Sequence, residues 1–106
     1  MEGALLISPV VLAELQAYPG ATVAFVQDFL EATAVVVDFC LEEGVWSETA
    51  LRFARYAARR RESSGVGPRR LLADFLIGAQ ALVQADRLLT LDPKRYRQDF
   101  PELRLL

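Results

Sequence analysis

The sequence predicts an α/β fold with a largely parallel sheet. Short apolar runs alternate along the chain with longer segments of helical periodicity, which is the pattern of layered α/β folds. The run Ala34 to Phe39 is apolar at every position but Asp38, as a strand covered on both faces requires. At 106 residues, 53% apolar and 25% charged, the chain has the length of one domain, 1–106, and a globular composition with one modest core.

Ala4 to Ile7 reads as the first strand. Ser8-Pro9 supplies an N-cap serine and a proline at the first helical position, so a helix is expected over Pro9 to Ala17, ended by Tyr18-Pro19-Gly20. Val23, Val26, Phe29 and Leu30 recur at helical spacing, placing a second amphipathic helix over Ala21 to Ala32 with Thr33 at its end. The buried strand Ala34 to Phe39 follows, and Glu42-Glu43-Gly44 marks a turn. Ser47 to Arg61 is expected as a helix capped by Ser47, with Leu51, Phe53, Ala54, Ala57 and Ala58 inward and an arginine-rich outer face. Glu62 to Pro68 reads as a flexible loop and Leu71 to Gln84 as a helix. Arg87 to Leu91 is read as a strand, Asp92-Pro93-Lys94 as a turn and Leu103 to Leu106 as a last strand.

Composition removes whole classes of chemistry. The chain has no histidine, which excludes Ser-His-Asp triads, Cys-His pairs and histidine-based zinc sites. Its single cysteine, Cys40, has no internal disulfide partner and reads as a buried structural thiol. No apolar run approaches the span of a bilayer and no basic segment opens the chain, so a soluble, cytoplasmic protein is expected. The net charge of −2 does not suggest a generic polyanion binder. Arginines 52, 55, 59, 60, 61, 69 and 70 nevertheless crowd one third of the chain. Carboxylates and a hard metal are the chemistry left.

Three acids stand in apolar settings: Glu14 within Pro9 to Leu15, Asp74 within Leu71 to Ala79, and Asp92 after Arg87 to Leu91. Acids so placed are costly unless a cation meets them. Each also has a bland role, Glu14 as a rim residue paired with an arginine, Asp74 at a positive helix N-terminus, Asp92 in a turn. Gly78 and Ala79 leave room for another backbone to approach, and Thr90 places a hydroxyl two residues before Asp92. Asp38, Asp86, Asp99 and Glu102 read as turn or surface acids.

The segments Leu12-Ala13-Glu14-Leu15, Asp74-Phe75-Leu76-Ile77-Gly78-Ala79, Thr90-Leu91-Asp92 and the closing Phe100 to Leu106 follow one another in an order that resembles the PIN-domain family, the metal-dependent nucleases that include VapC-type toxins. The resemblance implies a three-layer α/β/α fold with a mainly parallel sheet. It also implies a site in which Glu14, Asp74 and Asp92 converge as catalytic acids around Mg²⁺ or Mn²⁺, supported by Thr90, and hydrolysis of phosphodiesters in RNA. A homodimer and a neutralising antitoxin are the implied partners. Arg69 and Arg70, then Arg52 and Arg55, are the candidate contacts to RNA phosphates or to an acidic antitoxin tail, with Tyr96 and Arg97 behind them.

Two departures shape the expectation. The family opens on a central strand carrying its first acid, which has no counterpart in the chain as given, and often carries a further acid after T-x-D, where Pro93, Lys94, Arg95 and Tyr96 stand here. The expected fold is therefore PIN-like without that strand, with a strip of apolar surface left exposed. Little or no ribonuclease activity is expected of the chain as given, and the rival expectation is a nuclease-dead remnant that binds a partner.

Overall fold

The structure, a computed structural model, describes residues 5–67, 69–90 and 92–106. These form a mixed α/β, mostly helical arrangement with one two-stranded parallel sheet. The backbone gathers into two compact units, 1–41 and 42–106.

The first unit comprises strand β1 (Leu5–Ile7), helix α1 (Pro9–Gln16), helix α2 (Val23–Ala32) and strand β2 (Val35–Val37). Its helices start and stop where local chemistry dictates. Ser8, fully buried, accepts a 3.3 Å hydrogen bond from the Val11 amide through Oγ, with Pro9 at the first helical position. Thr22 caps α2 through a 3.0 Å bond from the Phe25 amide, and the Thr33 hydroxyl donates to the Phe29 carbonyl at 2.8 Å where α2 ends. The strands pair in parallel with Leu5 opposite Val35 and Ile7 opposite Val37, α1 and α2 forming the crossover that parallel pairing requires.

The run expected to be buried on both faces is not. Val36 is 51% exposed, and Leu5 and Leu6 are exposed as well, because a sheet of two strands has only edges. Cys40 likewise lies in solvent rather than in the core. The Asp38 carboxylate accepts the Cys40 amide at 3.0 Å, a local turn that ends pairing after Val37 and carries the chain off the sheet.

The second unit comprises helices α3 (Glu43–Glu62), α4 (Leu72–Gln84) and α5 (Pro93–Arg97), with α3 packed on α4. Helix α3 begins earlier than expected. Glu42, not Ser47, stands at its N-cap, and the Glu42 amide donates to Gln84 Oε1 at 3.4 Å, tying the start of α3 to the end of α4. Glu43 in the first turn and Arg59 to Arg61 in the last oppose the helix dipole favourably.

The core of this unit is aromatic. Tyr56, Phe75, Tyr96 and Phe100 are buried, and Phe53 meets Phe75 edge-on with centroids 5.3 Å apart. Arg52, expected on an outer face, is only 8% exposed. Its guanidinium binds Glu102 through two bonds of 2.6 and 2.9 Å, Glu48 at 2.8 Å and the Asp99 carbonyl at 2.8 Å. It also lies 4.6 Å from the Phe100 centroid. Asp99 and Glu102 are therefore structural rather than plain surface acids: the Asp99 carboxylate, 4% exposed, is paired with Arg59.

Neither C-terminal strand forms as a strand. Leu88 and Leu105 make a single parallel bridge, with the Leu88 amide on the Arg104 carbonyl at 2.8 Å and the Leu106 amide on the Leu88 carbonyl at 2.9 Å. Leu91 lies outside the described residues. The expected turn at Asp92 is instead the start of α5, since Pro93 suits the first helical position.

At Gly78 the close approach comes from a ring rather than a backbone. A Cβ there would stand 2.6 Å from Phe100 Cε2 and 2.8 Å from Cδ2 and Cζ, and Phe100 is 2% exposed, with no room to yield. Gly78→Ala is expected to destabilise the fold by about 1–2 kcal/mol, overpacking outweighing the gain in helix propensity. Chemical denaturation measures it, and a variant as stable as the parent would show that the ring can move.

Candidate functional site

Asp74 sits in the first turn of α4, its side chain 14% exposed. One oxygen, Oδ2, accepts the Leu71 amide at 3.1 Å, a cap on an otherwise unsatisfied helix end. The other, Oδ1, accepts Arg95 Nη1 at 3.2 Å. Asp92 precedes Pro93 at the N-terminus of α5, and the Thr90 hydroxyl accepts its amide at 3.1 Å. The hydroxyl expected to support the site thus holds the backbone of Asp92.

Arg95 joins the two acids. One turn along α5 from Asp92, it brings Nε to 3.5 Å from Asp92 Oδ2 while Nη1 binds Asp74. The contact to Asp92 is an ion pair without hydrogen-bond geometry, so the buried Nε keeps no hydrogen-bond partner. With Asp92 54% and Arg95 41% exposed, water screens that pair strongly. The pair with Asp74 holds the better-shielded carboxylate. Asp74, Arg95, Tyr96 and Phe100 line a shallow crevice together with Arg70 and Asp99.

Two of the three expected acids therefore meet on one cation. The third, Glu14, belongs to α1 in the first unit; it is exposed rather than turned into packed surface, and its carboxylate has no hydrogen-bond or ion-pair partner among the described residues. No group of three or more acid, histidine or cysteine side chains able to hold a metal occurs among the described residues. Comparison with protein-family models, curated proteins and solved structures finds no match.

The oxygens of Asp74 and Asp92 suit a hard divalent cation in kind. Arg95 uses those same oxygens, so it competes for them. Of the basic candidates, Arg52 has its guanidinium engaged inside the protein, Arg55 and Arg69 are exposed, and Arg70 is half-buried with its amide donating to the Tyr56 hydroxyl at 2.6 Å. Tyr96 is buried and Arg97 exposed. Arg95 is not among the expected site residues and stands in the sequence only where a further acid is absent. The signal was present: an acid and an arginine three apart across a proline-initiated helix are neighbours on its surface.

Proposed function

We propose that this chain is a PIN-like, metal-dependent ribonuclease of VapC toxin type, acting in the cytoplasm, paired with an antitoxin and assembling as a homodimer. The observation that carries the reading is the meeting of Asp74, in the first turn of α4, and Asp92, at the start of α5, on a single positive group. The finer fold, a three-layer α/β/α arrangement, draws support from the parallel β1–β2 crossover and the parallel bridge at Leu88 and Leu105. No helix among the described residues is long and apolar enough to cross a membrane.

Asp74 and Asp92 would hold Mg²⁺ or Mn²⁺, which when bound supplies the Lewis acidity that activates water and offsets charge building on a phosphodiester. The chain's own part is to orient. The Leu71 amide fixes one oxygen of Asp74, and Thr90 fixes the backbone of Asp92. Arg95 holds the Asp74 carboxylate in place through its 3.2 Å bond and lies beside Asp92 until a competing cation arrives.

One observation favours a second reading, a PIN-like module that binds a partner and cleaves nothing: Arg95 already gives both acids a cation. RNA cleavage with Mn²⁺ and with Mg²⁺ separates the two, each preparation set against its own Asp74→Asn control and Glu14→Gln tested beside it. On the ribonuclease reading cleavage falls by about 10² or more in Asp74→Asn. Absence of metal-dependent cleavage across varied RNAs, in the chain and in any longer in-frame product, would favour the binding module.

A further inference from the structure

Beside the Asp74 crevice lies a larger cavity of about 250 Å³ with an arginine-rich wall: Arg59, Arg60 and Arg70, with Tyr56 and Gln98 among them. Asp99 also lines it, but its carboxylate is already paired with Arg59. Arg60 donates to the carbonyls of Gly65 at 2.6 Å and Gly67 at 2.8 Å, ordering the turn that closes one side. Arg70 is different. Its amide is anchored on the Tyr56 hydroxyl and the residue is half-buried, yet its guanidinium has no hydrogen bond or ion pair among the described residues.

An unpaired guanidinium on a half-buried arginine, beside open space and two further arginines that add positive charge, is an arrangement that a doubly hydrogen-bonding anion completes. The planar fork of arginine matches two phosphate oxygens, which lysine or a lone amide does not. Arg70 and Asp99 line both the cavity and the crevice, so an anion held by Arg70 stands next to Asp74 and Arg95.

We propose that Arg70 binds phosphate in this cavity, with Arg59 and Arg60 lending positive charge while they stay on Asp99 and on the Gly65 and Gly67 carbonyls, and that it holds the backbone of single-stranded RNA beside Asp74. The choice of RNA rests on the ribonuclease reading; the recognition of phosphate does not. The anion gains charge-assisted bonds from the Arg70 guanidinium, whose backbone is already anchored on Tyr56.

The test is binding, without cleavage, of four probes in metal-free buffer: inorganic phosphate, a 5′-mononucleotide, a single-stranded RNA oligonucleotide and an acidic peptide. Each is titrated by anisotropy or NMR shifts against the intact chain, Arg70→Ala and the control Arg87→Ala, an exposed arginine away from the cavity. Arg70→Ala is expected to weaken RNA about tenfold, the scale of a lost charge-assisted bond pair. It should also lower the salt slope by about 0.7, one phosphate contact on a single strand. Phosphate should shift the Arg70 Nε resonance in the intact chain, and Arg70→Lys should restore charge but not full affinity. Equal losses in Arg70→Ala and Arg87→Ala would reduce the effect to diffuse charge and overturn the pocket. So would an acidic peptide bound through Arg70 more tightly than RNA. Binding that depends on Arg70, with no metal-dependent cleavage in the chain or in any longer in-frame product, would sink the ribonuclease reading and leave the pocket standing; cleavage that depends on Asp74 with binding indifferent to Arg70 would do the reverse.

Discussion

Arg52→Ala is expected to cost about 3 kcal/mol of stability, the scale of removing one partner from a shielded ion pair, reduced because Glu102 is half in water. The side chain is 9% exposed, while Glu102 is 52% and Glu48 33% exposed. Its loss frees two carboxylates and the Asp99 carbonyl and opens a gap over Phe100. Arg52→Lys should recover only part, since an ammonium cannot bind Glu102 through two nitrogens and Glu48 through a third. The same pair sets a pH dependence. The hydrogen bonds from Arg52 hold the Glu102 carboxyl at about 2, below its usual 4.5, and hold the guanidinium charged far above any working pH. A lowered carboxylate pKa stabilises the fold above the unfolded value and loses that contribution as pH falls from about 4.5 through about 2. Denaturation across that window should therefore fall less steeply in Glu102→Gln than in the parent. Identical slopes would show that the pair contributes nothing to folding.

What was legible in the sequence was local. Ser8-Pro9 and Thr33 mark helix ends within a residue or two of the observed bounds, because a cap bonds only to amides and carbonyls within a turn, whereas the Thr22 cap is not among the expected signals and α2 starts two residues after the expected Ala21. Arg52 reads as an outer-face arginine because its partners Asp99 and Glu102 lie 47 and 50 residues away, a distance that periodicity does not span. The apolar run at Val35 reads as doubly covered, yet coverage depends on how many strands flank it, and that is a property of the whole sheet. At the candidate site the acids of the motif were legible and their cation was not, since the turn expected at Asp92 removed the helical spacing that brings Arg95 back to it.

That cation leads to the second large effect expected of this chain. Replacing Arg95 with methionine, which keeps much of the stem packing, is expected to raise Mn²⁺ affinity about tenfold or more, because the ion no longer displaces a guanidinium worth about 1–2 kcal/mol from Asp74. The competitor is imperfect: its Nε is buried without a hydrogen-bond partner, and its contact to Asp92 is long and screened. Displacement is thus a small cost that a divalent ion on two carboxylates can exceed. Without metal the variant leaves Asp74, 14% exposed, with only the Leu71 amide, so it should be less stable than the parent. With Mn²⁺ the order should invert, since a ligand stabilises by its affinity for the folded state. Calorimetric titration and thermal unfolding with and without Mn²⁺ read both effects, and Arg95→Met with Asp74→Asn should bind no better than background. If removing Arg95 lowers stability and no divalent ion restores it, the arginine is the cation this pair of acids was built to hold, and the partner-binding reading gains what the ribonuclease reading loses.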